Sequence, residues 1–283
     1  MNIKEMVSSE DLVSLQQLEK QIWDMDPIPI HQTLTAVKNG GIALGAHLDG
    51  RLVGFLYSFP GFKDGQTYLC SHMMGIHPEY RSEGIGQKLK EEQRKLASLK
   101  GYSLITWTFD PLESVNAYLN LHKLHGIGAH YIVNQYGSMN DAFNYGLPTD
   151  RFLIEWWIQS DHVNQGGLYN YTFDENDVLL TTFVNQDGFS QIQSDQSFLL
   201  LSYIKEVDKA WYVPIPSNYQ QIKKNDMELA IDWRMKTRSI FALLMERDYV
   251  AVDVLRFPDH DTHYYVFAKN NNVLKQSQRG ENL

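Results

Sequence analysis

The sequence predicts an α/β (α+β) protein. A mixed central sheet flanked by helices is expected over residues 1–160, and a smaller α+β region over residues 168–270. Three observations carry that reading. Helical and strand periodicities alternate through the first half. An Asp49-Gly50 pair between two apolar runs marks a two-residue hairpin. The run Met74-Gly-Ile-His-Pro-Glu-Tyr-Arg-Ser-Glu-Gly-Ile-Gly86 reads as a buried strand, a proline turn, a compact Arg-x-x-Gly-x-Gly loop and the start of a polar helix.

The elements follow in order. Ser9 opens a helix to Trp23, with Leu12, Leu15, Leu18 and Ile22 at helical spacing. Asp24-Met-Asp-Pro-Ile-Pro29 breaks it, and a second helix over 31–38 is closed by Gly40-Gly41. Residues 42–48 and 52–59 are the hairpin arms. A break at 60–65 leads into a strand over 67–76. The helix after Gly86 runs to about Lys100, and a strand over 103–109 stops at Asp110-Pro111. A helix over 114–125 ends at Gly126, and strands over 131–135 and 152–158 complete the first part.

The polar stretch 159–167 is the expected domain boundary. Strands are expected at 178–184, 198–204 and 210–213. A long helix then begins after Pro214-Ile-Pro216, with Ser217 and Gln220 in a capping-box pattern. Its Ile222, Leu229, Trp233, Ile240 and Leu244 fall near one face. Strands over 249–256 and 263–268 close the region, and 271–283 is a polar tail. This helix-then-strand ending echoes the order after the glycine loop, so the second half reads as a degenerate copy without that loop.

Composition narrows the function. A net charge of −9 argues against nucleic acid as a partner, because phosphate backbones need a basic face. No apolar run approaches the ~20 residues of a membrane span, and the first residues lack a signal-peptide pattern; the expected location is the cytoplasm. The single cysteine, Cys70, reads as a core residue in an apolar strand. Asp259-His-Asp-Thr-His263 reads as a hairpin loop, and His122, His125 and His130 as residues around a helix end, so no metal is expected.

The glycine loop is the strongest functional signal. It places unpaired backbone N–H groups at a helix N-terminus, a site suited to a phosphate. Gly84 and Gly86 remove the Cβ atoms that would hold an anion away, and Arg81 adds a positive charge. Ile76, Pro78, Tyr80, Arg81, Gly84 and Gly86 match one by one the cofactor motif of the GNAT acyltransferases. Over roughly the first 160 residues the chain resembles that family. With residues 114–136 and 147–155 it is similar to a bacterial branch with an added C-terminal region.

The resemblance implies an N-acetyltransferase with a GNAT-like fold, using acetyl-CoA or another short acyl-CoA such as succinyl-CoA. Arg81, Ser82, Glu83, Gly84, Ile85, Gly86 and Gln87 would surround the pyrophosphate. Met74, Gly75 and Ile76 would bind the pantetheine arm through their backbones, and Asn116 would also reach that arm. The acceptor implied is the amine of a small molecule, amino-acid-like in character, attacked directly in a ternary complex; a homo-oligomer is compatible. The alternative is a non-catalytic GNAT-fold protein that binds acyl-CoA in a regulatory role.

Acyl transfer needs a base for the amine and a proton for the leaving thiolate. His72 and Asp110 are the base candidates; Ser71 and His72 point to opposite faces of their strand if it alternates regularly. The family's acid is a tyrosine four residues before a helix-ending glycine, but counting back from Gly126 gives His122, with Tyr118 one turn earlier. Asp24 and Asp26 are placed to anchor an ammonium, and Arg151 to hold a carboxylate.

Overall fold

The computed structural model describes residues 1–23, 26–137, 146–167, 171–193, 209–257 and 260–270. The chain divides into two compact units: Met1–Trp107 with Trp156–Gln159, and Thr108–Glu155 with Ser160–Leu283.

The first unit contains β1 (Asn2–Glu5), α1 (Ser9–Trp23), α2 (Ile30–Lys38), β2 (Ile42–Leu48), β3 (Arg51–Lys63), β4 (Gln66–Ile76) and α3 (Ile85–Leu99). β5 (Leu104–Phe109) begins there. The four strands β1 to β4 pair antiparallel in sequence order, and β5 joins β4 in parallel. β1 was not expected, because four mostly polar residues carry no periodicity. Ser8, not Ser9, caps α1: its hydroxyl accepts from Asp11 N at 3.1 Å while Asp11 accepts from Ser8 N at 3.2 Å. The apolar stripe of α1 does face the core, where Leu12, Leu15 and Leu18 pack with Met6, Phe55 and Tyr57. Burying each leucine contributes about 1.5–3 kcal/mol.

The break expected at 60–65 is shorter than its Pro-Gly composition suggested. β3 runs through Pro60 and Gly61 to Lys63, and only Asp64-Gly65 turn, both at positive φ. Gly61 is needed there because a Cβ would lie 2.3 Å from the Tyr68 ring on β4.

The second unit holds α4 (Ser114–Ala117), which continues as one π-type turn over Tyr118–Lys123, then β6 (Ile127–Ile132) and β7 (Arg151–Trp157). After α5 (Asp161–Asn164), a small hairpin pairs β8 (Thr182–Val184) with β9 (Ser190–Ile192). The last elements are β10 (Trp211–Pro216), α6 (Tyr219–Asn225), α7 (Met227–Glu246), β11 (Tyr249–Leu255) and β12 (Thr262–Lys269). Within this unit the strands lie in the order β7-β6-β11-β12-β10, all antiparallel. Phe152, Phe241, Tyr265 and Phe267 form the aromatic centre against α7, with ring centroids 4.9–6.2 Å apart.

Several boundaries differ from the sequence reading. The division does not fall at 159–167, because Trp156–Gln159 returns to the first unit. There Ile158 N donates to Ser103 O at 3.0 Å, and Arg94 donates to Ile158 O. The strand expected at 131–135 begins earlier, at Ile127. The one long helix is two: Asp226 leaves helical geometry (φ −146°, ψ 91°) and caps α7 by accepting from Leu229 N at 2.9 Å. Asn218, rather than Ser217, caps α6. The strand expected at 178–184 is confined to Thr182–Val184. Those expected at 198–204, and the tail, lie outside the described residues.

Candidate active site

The glycine loop forms at the end of β4. His77 turns the chain into one helical turn at Pro78–Tyr80, with its ring against Tyr80. Ser82 and Gly84 then adopt left-handed backbone, φ 69° and 74°. A Cβ on Gly84 would meet nothing within 4 Å, so conformation rather than space calls for glycine there. Gly84 is the N-cap of α3, and the first helical bond runs from Lys88 N to Gly84 O at 3.2 Å. The amides of Ile85, Gly86 and Gln87 precede that bond, which leaves the first turn directed at whatever lies beyond the loop. Arg81 is exposed and donates through Nε to Ile76 O at 3.3 Å, which places its charge at the mouth of the loop.

β4 supplies the second part. It pairs with β5 only at Leu69–Ile105 and Cys70–Thr106, so among the described residues Ser71 to Ile76 are paired on the β3 side alone. Half of the peptide groups from Met74 to Ile76 therefore face an open edge. Gly75 packs under Phe55, Ile22 and Trp23, where a Cβ would come within 2.7–3.1 Å.

His72 sits at a bulge. Tyr57 pairs with Met73 and Ser58 with Ser71, so His72 is the extra residue on β4. Ser71 is buried and His72 exposed, beside the rings of Phe59 at 5.5 Å and Tyr57 at 6.3 Å. Partial desolvation against these rings lowers the imidazole pKa from the ordinary value and favours the neutral, proton-accepting form. His72, Tyr57 and Phe59 line a cleft of about 880 Å³ against α2, whose His31, Gln32 and Asn39 complete the polar wall. On the opposite face, Lys90 of α3 donates to Ser71 Oγ at 2.9 Å and lies 3.5 Å from the Trp107 ring centroid. Burial drives the Lys90 pKa well below its usual value. It likewise raises that of the Cys70 thiol, which keeps Cys70 protonated and unreactive.

The other candidates belong to the second unit. Asp110 accepts from Arg234 Nη2 at 2.5 Å and from Leu112 N at 2.9 Å, with Arg151 Nη1 at 3.7 Å. Its oxygens are taken up by two guanidinium groups and a backbone amide, so the geometry favours a structural task for Asp110. Arg151 is itself buried in that network and against Tyr136, rather than open to an acceptor carboxylate. Asn116 is exposed on α4. His122 stacks on Tyr118 at 4.4 Å, and Arg256 covers Tyr118 at 4.0 Å. His122 Nδ1 lies 2.9 Å from Asp253 Oδ1, and Tyr171 donates to the other oxygen of Asp253. That pairing and the stack on Tyr118 fix the orientation of the His122 ring.

His122, His125 and His130 do not converge: they face Asp253, His162 and Glu155 respectively. Among the described residues no three His, Cys, Asp or Glu side chains gather as a metal site. Asp24 and Asp259 lie outside the described residues. Sequence reasoning missed Lys90, Arg234 and Asp253. Lys90 breaks the polar-out pattern of α3, a signal that was available; the other two gave none.

A helix N-terminus opened by a left-handed glycine, beside the open edge of β4 on a mixed sheet flanked by helices, is the arrangement that the family resemblance implied. Residues 9–126 match the model of the acetyltransferase (GNAT) family. No curated protein matches the sequence. Among solved structures, the ribosomal-protein-S18-alanine N-acetyltransferase from Escherichia coli is 13% identical, covers 61% of this chain and 98% of its own, and has a TM-score of 0.45. An acetyltransferase of the GNAT family from Streptococcus pneumoniae is 16% identical over 54% of this chain and 97% of its own, with a TM-score of 0.43. Aminoglycoside 6'-acetyltransferase type Ii is 20% identical over 56% and 97%, also at 0.43. Among the described residues no helix is long and apolar enough to cross a membrane.

Proposed function

We propose that the chain transfers an acetyl or other short acyl group from acyl-CoA to the amine of a small molecule, by direct attack in a ternary complex. The observation that carries this reading is the α3 N-terminus, with Gly84 in left-handed backbone, Arg81 at its mouth and the open edge of β4 leading to it. The pyrophosphate would take the amides of Ile85, Gly86 and Gln87 and the Arg81 charge, with Ser82 and Glu83 at the rim. The pantetheine amides would add to the unpaired edge of Met74 to Ile76 as a strand does.

The cleft beside α2 is the proposed acceptor site. Its walls offer aromatic rings, imidazoles and amides, which suits an amine carried on an apolar or hydrogen-bonding body. His72 would accept the amine proton as nitrogen attacks the thioester carbonyl. The tetrahedral intermediate then collapses, breaking the C–S bond and releasing the thiolate. His122, or Tyr118 stacked on it, is the proposed acid, from its place before Gly126. Asn116 is the proposed ligand of the cofactor arm.

Calorimetric titration with acetyl-CoA, succinyl-CoA and CoA tests the reading, with Gly86→Asp as the control. Binding by the wild type and its loss in the variant are expected, because the new carboxylate would face the pyrophosphate. Unchanged affinity in Gly86→Asp would remove the assigned site.

A further inference from the structure

The second unit contains a cavity of about 550 Å³ that the proposed acyl transfer does not use. Phe173, Phe257 and Tyr264 line it as one cluster, with centroids 5.0, 5.2 and 5.8 Å apart, and Leu180 closes its apolar wall. His260 adds a fourth ring, 5.6 Å from Phe257. Facing these rings is Glu175, on the turn Glu175–Asp177. Its neighbours are occupied: Asp174 accepts from Asn176 N at 2.9 Å, and Asp177 pairs with Lys209. Glu175 is exposed, and among the described residues its carboxylate makes no hydrogen bond or ion pair.

An apolar cavity would be filled by any neutral group of suitable size. A cluster of aromatic rings with one exposed acidic residue on the same lining selects more narrowly. Ring quadrupoles attract a cation without requiring a hydrogen bond, and the carboxylate supplies the counter-charge. We propose that this cavity binds a small organic cation, an alkylated ammonium group on a short body. The aromatic cluster would take the alkylated head, and Glu175 would offset its charge.

The test compares choline with 3,3-dimethylbutan-1-ol, which has the same shape without the charge, by calorimetric titration of the full chain at pH 7.5. Choline should bind at least tenfold more tightly. Glu175→Gln and Phe257→Leu should each weaken it by about five- to thirtyfold, the range of a partly desolvated cation–π contact. Phe257→Leu keeps the apolar volume, and its urea midpoint checks the fold; if it is destabilised, exposed Glu175→Gln carries the test alone. Equal affinity for the neutral alcohol would make the cavity merely apolar and overturn the proposal. So would the absence of choline binding, or binding indifferent to Glu175→Gln. CoA titration of the same variants should match the wild type, so failure here is separate from failure at the glycine loop.

Discussion

Asp110→Asn distinguishes a base from a structural carboxylate. The Arg234 side chain is 1% exposed and that of Asp110 15%, with 2.5 Å between Nη2 and Oδ2. Burial pulls the guanidinium pKa down, and the Asp110 carboxylate more than reverses it, so Arg234 is charged in the folded protein. Asparagine can keep the bond from Leu112 N to Oδ1 but removes the counter-charge. Stripping one partner from a buried ion pair costs about 3–5 kcal/mol. With an m-value of about 1–3 kcal/mol/M, the urea midpoint of the second unit should fall by roughly 1–5 M. Adding Arg234→Met should recover at least half of that loss, because the more deeply buried of the two guanidinium charges facing Asp110 is then gone. Tryptophan fluorescence in urea and steady-state turnover are the two readouts. A midpoint within about 0.3 M of wild type, together with abolished turnover, would refute the structural assignment and restore Asp110 as the base.

Three further outcomes follow from the same geometry. His72→Asn should lower kcat about a hundredfold and remove the acid limb of the kcat/KM profile below pH ~6.5; an unchanged profile would place the base elsewhere. His122→Phe should slow turnover far more than Tyr118→Phe, since the Asp253-held imidazole is the better-oriented donor; equal, small effects would mean that water protonates the thiolate. Lys90→Met should stabilise the first unit at neutral pH. The folded-state pKa of Lys90 is depressed, so wild-type stability rises with pH from that value up to the unfolded value of about 10.4. The variant should lose this slope in pH-dependent urea midpoints, and a retained slope would assign it to another group.

The parts of the site that were legible are those built from neighbours in sequence. The strand, proline turn, left-handed glycine and helix start lie within thirteen residues, so each local preference reinforces the next. The apolar stripe of α1 and the Asp49-Gly50 hairpin were readable for the same reason. The bulge at His72 was not, because it exists only in the register between β3 and β4. The π-type turn at Tyr118–Lys123 was likewise invisible, since its apolar spacing also suits an ordinary helix. Asp110 looked available because its partner Arg234 is 124 residues away. The break at Asp226 could have been read: an aspartate three residues before Leu229 is a cap pattern, overlooked inside a long periodic run.

The extra residue in β4 also acts as a phase shifter. Residues from Met73 onward and those up to Ser71 belong to two alternations that are one step out of step, and His72 is the splice between them. Deleting it would merge them into a single alternation in which each remaining residue keeps its partner on β3, Ser71 with Ser58 and Met73 with Tyr57. Deleting His72 would thus remove the bulge and the imidazole together, whereas exchanging its side chain would test the imidazole with the bulge in place.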